Sequence, residues 1–166
     1  LLLPGLSAGE YVSFDGTHFH SHRGMGHVSE NFSSETVDRL KGYMAVGHTR
    51  YATTGATILR NVQPLFAEYE FGGFAVGHNG NLTNALTLRR ELQKRGCLFQ
   101  STSDTEVVTH LIALSDDSTV EDRLIDALRQ IEGAYSFVCL TNDAIIGARD
   151  PLGVRPLVLG RSGNAH

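Results

Sequence analysis

Tryptophan is absent from the 166 residues, cysteine occurs only twice and proline four times. Two cysteines, Cys97 and Cys139, are too few for a disulfide scaffold. They suit a reducing compartment, and the chain is read as cytoplasmic. No apolar run approaches the roughly 20 residues that a membrane span requires. Leu1-Leu2-Leu3 lacks the basic flank and full apolar stretch of a signal peptide. Basic runs are missing too: 14 Lys and Arg against 18 Asp and Glu leave a net charge of −4. That balance argues against a nucleic-acid surface. Hydrophobic residues make up 41% of the chain, enough for one real core at this length. The composition is that of a soluble, single-domain globular protein.

What the chain does have is 18 glycines and eight histidines. The glycines recur singly beside short apolar runs, as at strand ends and tight turns. Strands are predicted at 11–14, 17–20, 43–49, 73–78, 136–141, 144–148 and 157–159, each bounded by turn residues. Asp15-Gly16 and Asn142-Asp143 sit between strand pairs as turn dipeptides. Helices are predicted at 84–95, 104–114 and 120–131. In the last, Val120, Leu124, Ile125, Leu128 and Ile131 form one apolar stripe. Hairpins flanking adjacent helices predict an α+β fold with antiparallel sheets.

Five segments have residues suited to chemistry, and each also has a structural explanation. Gly47-His48-Thr49-Arg50-Tyr51-Ala52-Thr53-Thr54-Gly55 places an arginine at a strand end. Its planar donors suit a carboxylate, although a surface ion pair would use the same residue. His78-Asn79-Gly80-Asn81-Leu82-Thr83-Asn84 reads as a turn and helix cap. It also offers the Asn79 amide and the Gly80 N–H as an oxyanion hole. Ser103-Asp104-Thr105-Glu106 has the spacing of a capping box. That leaves Asp104 free to meet an ammonium group, and Arg with Asp is the pair an α-amino acid needs. Arg149-Asp150-Pro151-Leu152-Gly153-Val154-Arg155-Pro156 reads as a rigid connection held by ion pairs. His18, His20 and His22 alternate as strand residues, which suits either a solvated face or a metal site. Cys139 lies in an apolar run and Cys97 at a helix end, and neither has the setting of a nucleophile.

Taken together and in order, these segments resemble the glutaminase domain of class II, N-terminal-nucleophile glutamine amidotransferases. Asn61-Val62-Gln63-Pro64 and Gly133-Ala134-Tyr135-Ser136 add to the likeness, which is strongest to the amidophosphoribosyltransferase branch. Arg50-Tyr51 matches that branch where others carry Arg-Trp. The resemblance implies a four-layer αββα sandwich, two antiparallel sheets between helix layers. It implies release of ammonia from glutamine through a cysteinyl thioester, and its transfer to a phosphoribosyltransferase domain that makes 5-phosphoribosylamine for purine synthesis. By motif position, Arg50 would bind the glutamine α-carboxylate, Asp104 its α-ammonium, and Tyr51 and Thr53 would line that pocket. Asn79 and Gly80 would form the oxyanion hole. The resemblance implies no cofactor in this domain. It implies magnesium, and in some relatives an iron–sulfur cluster, in the full-length enzymes, which are homo-oligomeric.

The family nucleophile is an N-terminal cysteine whose α-amine serves as base. No matching segment is present, and residues 1–11 read as divergent, with 12–166 as the glutaminase domain. The expectations are a sheet short of an N-terminal strand, no glutaminase activity from the chain as written, and no phosphoribosyltransferase domain. A non-catalytic glutamine-binding or regulatory module is the alternative.

Overall fold

The computed structural model describes residues 6–25, 28–51 and 59–166, and of residues 6–8, 28, 29, 50 and 51 the backbone alone. Strands β1 (Leu6–Phe14), β2 (Phe19–Met25) and β3 (Met44–Tyr51) form an antiparallel sheet in the order β2-β1-β3. β1 begins at Leu6, five residues before the predicted position, so part of the lead segment is paired strand. The β1–β2 connection is a four-residue loop at 15–18. Asp15 closes it by accepting the N–H groups of Thr17 and His18, both at 2.8 Å.

The second sheet is also antiparallel, in the order β4-β5-β6-β7. It comprises β4 (Leu65–Tyr69), β5 (Gly72–Leu82), β6 (Gly133–Leu140) and β7 (Ile145–Arg149). Alternation along β5 fixes the layers, because successive side chains of a strand point to opposite faces. Phe74 and Val76 face three helices: α3 (Ala85–Lys94), α4 (Glu106–Leu114) and α5 (Val120–Gln130). There they join Phe137, Cys139, Val107, Ile112 and Leu124 in the larger core. Full burial of Phe74 and Phe137 stabilises by about 1.5–3 kcal/mol each. Ala75 faces the other way and meets Val12, Phe14, Val46 and Leu140, which join the two sheets.

Two short helices, α1 (Val28–Asn31) and α2 (Ser34–Arg39), were not predicted. α1 leads to Phe32, whose ring packs edge-on against Tyr11 at 4.4 Å on the outer face of the first sheet. The layer order is therefore αββα, the predicted architecture. The predicted strand at 157–159 is irregular, with Val158 and Leu159 about 90% exposed. Leu157 rests against Gly147, and Ser136 donates to the Pro156 carbonyl at 3.2 Å.

Candidate active site

The C-terminal half of β5 runs along a cleft of about 910 Å³. Gly47, His48 and Thr49 of β3 form one wall and Asn61 and Gln63 another. His78, Asn79, Gly80 and Asn81 of β5, Thr102 to Asp104, and Arg155 complete it. Segments far apart in the chain thus meet at one place.

Asn79-Gly80 is strand where the sequence predicts a turn: both residues stay in β5 and pair with Ser136 and Tyr135. Glycine is required at 80 by close approach. A Cβ there would overlap the Ala134 carbonyl oxygen and stand 2.7 Å from His78 Nε2. The Asn79 side chain is exposed and has no hydrogen-bond partner among the described residues. It is free to donate into the cleft.

Asp104 reaches β5 from the loop before α4. Its Oδ2 accepts the Leu82 N–H at 2.9 Å, and its Oδ1 lies 3.7 Å from His78 Nδ1. Partial burial works to raise its pKa, but the His78 ring and the Leu82 N–H outweigh that and hold it below the ordinary carboxylate value. The carboxylate is charged and about a quarter exposed, as an ammonium partner needs.

The predicted capping box is not formed. Glu106 turns back to accept from the Gln100 N–H at 2.7 Å, the Ser101 N–H at 2.9 Å and the Ser101 hydroxyl at 2.7 Å. Arg89, 3.8 Å from the Glu106 carboxylate, grips the same loop, donating to the Ser101 and Ser103 carbonyls at 3.0 and 2.8 Å. Together they fix the approach of Asp104 to the cleft.

Arg50 and Tyr51 end β3, with Arg50 opposite Ala8 and Tyr51 opposite Leu6, next in sequence to the cleft residues His48 and Thr49. The side chains of Arg50 and Tyr51, and all of Thr53, lie outside the described residues. Of the predicted site, the structure therefore brings together Asn79, Gly80 and Asp104.

Sequence reasoning gave no role to Gln63 or Thr105. Gln63 accepts the His78 N–H at 2.7 Å and donates to Thr105 Oγ1 at 3.1 Å, and Thr105 is fully buried. The available signal was His78 itself, a polar residue two places beyond Val76 on the buried face of β5.

The other candidates lead elsewhere. Asp150 is buried and accepts the N–H groups of Tyr135, Leu152 and Val154 at 3.0–3.3 Å, which replaces the predicted ion pairs with backbone bonds. His20 bonds Asp15 at 2.7 Å, while the His22 ring packs edge-on against Phe32. Among the described residues no group of three or more His, Cys, Asp or Glu is placed to hold a metal ion. Cys139 sits in the larger core, where burial pushes its thiol up to about 12, and Cys97 packs partly buried against the same core. No described helix is long and apolar enough to cross a membrane.

Residues 48–166 match the family model described as a glutamine amidotransferase domain. The chain is 55% identical over 157 residues to the amidophosphoribosyltransferase of Rhizobium etli, covering 94% of this chain and 32% of that protein. It is 51% identical over 141 residues to the chloroplastic amidophosphoribosyltransferase 1 of Arabidopsis thaliana, covering 85% and 25%. Glutamine phosphoribosylpyrophosphate amidotransferase from B. subtilis, solved with ADP and GMP, superimposes with a TM-score of 0.89 at 40% identity, over 96% of this chain and 34% of that one. The chain thus spans between a quarter and about a third of the length of the relatives it matches.

Proposed function

The chain belongs to the glutamine amidotransferase domain family, and from that we propose that its cleft binds glutamine and releases the side-chain nitrogen as ammonia for an amidophosphoribosyltransferase. The observation that carries this reading is the meeting of Asp104, Asn79 and Gly80, from two separate segments, on one cleft. Asp104 takes the α-ammonium group. Arg50, with Tyr51 and Thr53, takes the α-carboxylate. The Asn79 amide and the Gly80 N–H receive the carbonyl oxygen as it gains negative charge, where preorganised donors act most strongly.

The reaction needs a thiol. Its sulfur bonds to the amide carbon, the C–N bond breaks, and ammonia leaves with the thiol proton. Water then cleaves the thioester to give glutamate and free thiol. Cys139 and Cys97 lie in or against the larger core and neither lines the cleft. We assign the nucleophile instead to an N-terminal cysteine of the family type, outside these 166 residues. Amide hydrolysis of this kind needs no metal, so magnesium and any iron–sulfur cluster belong to the rest of the protein. A phosphoribosyltransferase domain is the proposed acceptor of the ammonia, in a homo-oligomer. Two free thiols favour a cytoplasmic setting.

The placement of both cysteines also supports a second reading, a glutamine-binding module without the thiol. Calorimetry with L-glutamine and an ammonia-release assay on the full-length protein separate the two. Binding with release supports the enzyme, and binding without release supports the module. Absence of binding removes both.

A further inference from the structure

We infer that His78 is a positioning residue that joins the two ends of the cleft, its side chain aiming Asp104 and its backbone holding Asn79-Gly80. The inference rests on the glutamine site proposed above.

His78 is 5% exposed, with its ring against Phe137 at 4.6 Å. Its Nδ1 lies 3.0 Å from Thr105 Oγ1. The same oxygen receives Gln63 Nε2 at 3.1 Å and stands 3.5 Å from Asp104 Oδ1. A hydroxyl has one proton to give and two lone pairs to offer. With the histidine proton on Nδ1, Thr105 accepts from His78 and Gln63 and donates its own proton to Asp104. Every group in the chain is then used, and only the bare Nε2 lone pair is left over.

With the proton on Nε2, Nδ1 would take the Thr105 proton and Asp104 would lose its hydroxyl donor. A buried N–H would also be left without an acceptor, since Nε2 has no partner among the described residues. Unpaired buried donors are rarer and costlier than unpaired acceptors. The Nδ1–H form therefore holds. Thr105 then steadies the carboxylate oxygen nearer His78 while Leu82 holds the other.

The backbone of His78 is fixed as firmly. Its N–H donates to Gln63 Oε1 at 2.7 Å, and its carbonyl accepts from His48 Nε2 at 3.1 Å. Gln63 thus contacts both the backbone and the hydroxyl partner of one residue. A displacement of His78 is carried to Asp104 at the ammonium end and to Asn79 at the amide end.

The test uses the full-length protein. An asparagine amide nitrogen falls near the Nδ1 position of histidine and a glutamine nitrogen near Nε2. Both substitutions lose the ring on Phe137, and asparagine leaves the larger void, so tighter binding by His78→Asn than by His78→Gln reports the proton and not the packing. His78→Asn is expected to bind L-glutamine within about threefold of wild type, and His78→Gln at least about tenfold more weakly. Thr105→Ser and Thr105→Val, by calorimetry, should divide the same way. Nitrogen-15 spectra without ligand should show the His78 proton on Nδ1, assigned by the signals lost in His78→Asn. A proton on Nε2 overturns the inference, as does wild-type binding by His78→Gln or Thr105→Val. If wild type does not bind glutamine, the proposed function falls, while the spectrum still decides the proton.

Discussion

Asn61 and Thr102 hold each other twice: the Asn61 amide donates to the Thr102 hydroxyl at 2.8 Å and its oxygen accepts the Thr102 N–H at 2.9 Å. This pairs the segment entering β4 with the loop that delivers Asp104. Gln63 and Thr105 repeat the link one step deeper. Asn61→Ala removes both bonds at once. It is expected to lower stability by about 1 kcal/mol, since the pair is solvent-exposed, and to weaken L-glutamine binding several-fold. Thermal unfolding and calorimetry on one preparation check this. Unchanged binding with reduced stability would confine the pair to a structural role.

Gly80→Ala tests the close approach of β5 to β6. The added carbon overlaps the Ala134 carbonyl oxygen, a backbone atom that cannot rotate away, so the two strands must separate locally. The expected loss is about 1–3 kcal/mol in urea unfolding, from overpacking at a strand pair. The same shift moves the Gly80 N–H, so ammonia release should fall further than the lost folded fraction explains.

How far such a site can be read from sequence depends on which groups are held locally. The stripe on α5 and the β5, β6 and β7 runs are legible because each satisfies its own periodicity. That Asp104, Asn79 and Gly80 meet on one cleft is legible because their residue types and order match a family pattern. Glu106 is not: its spacing from Ser103 fits a capping box, yet the carboxylate finds three donors at Gln100 and Ser101, which only the folded loop supplies. Leu157 to Leu159 fail for the opposite reason. Their local pattern suits a strand, but among the described residues no sheet edge pairs with them. The Gln63, His78 and Thr105 set is tertiary throughout, with partners 15 to 42 residues apart.

Thiol labelling reads the cores directly. Cys139 is fully buried and its thiol is pushed up to about 12 by that burial, so almost none of it is thiolate at neutral pH. Cys97 is partly exposed. A thiol reagent at neutral pH should modify Cys97 in the native protein and reach Cys139 only after denaturation, as peptide mass mapping would show. Rapid native modification of Cys139 would contradict the packing of β6 against the helices.

Asp104 gives the sharpest pH prediction. Burial alone would raise its pKa, but the His78 ring and the Leu82 and Thr105 bonds pull the net value below the ordinary 3.8. The folded value is therefore lower than the unfolded one, and the carboxylate stabilises the fold fully above 3.8. That contribution is lost only as pH falls through the folded value. Asp104→Asn keeps an oxygen for the Leu82 N–H but removes the charge. Its stability difference from wild type should be flat from about pH 5 to 8 and shrink only in more acid solution. At neutral pH its affinity for L-glutamine should fall about ten- to hundredfold, as expected for losing one charge-assisted bond to an ammonium group. Wild-type affinity should hold down to about pH 5 as far as this residue governs it. A loss of binding near neutral pH that disappears in Asp104→Asn would mean that its carboxyl titrates there, against the hydrogen bonds that surround it.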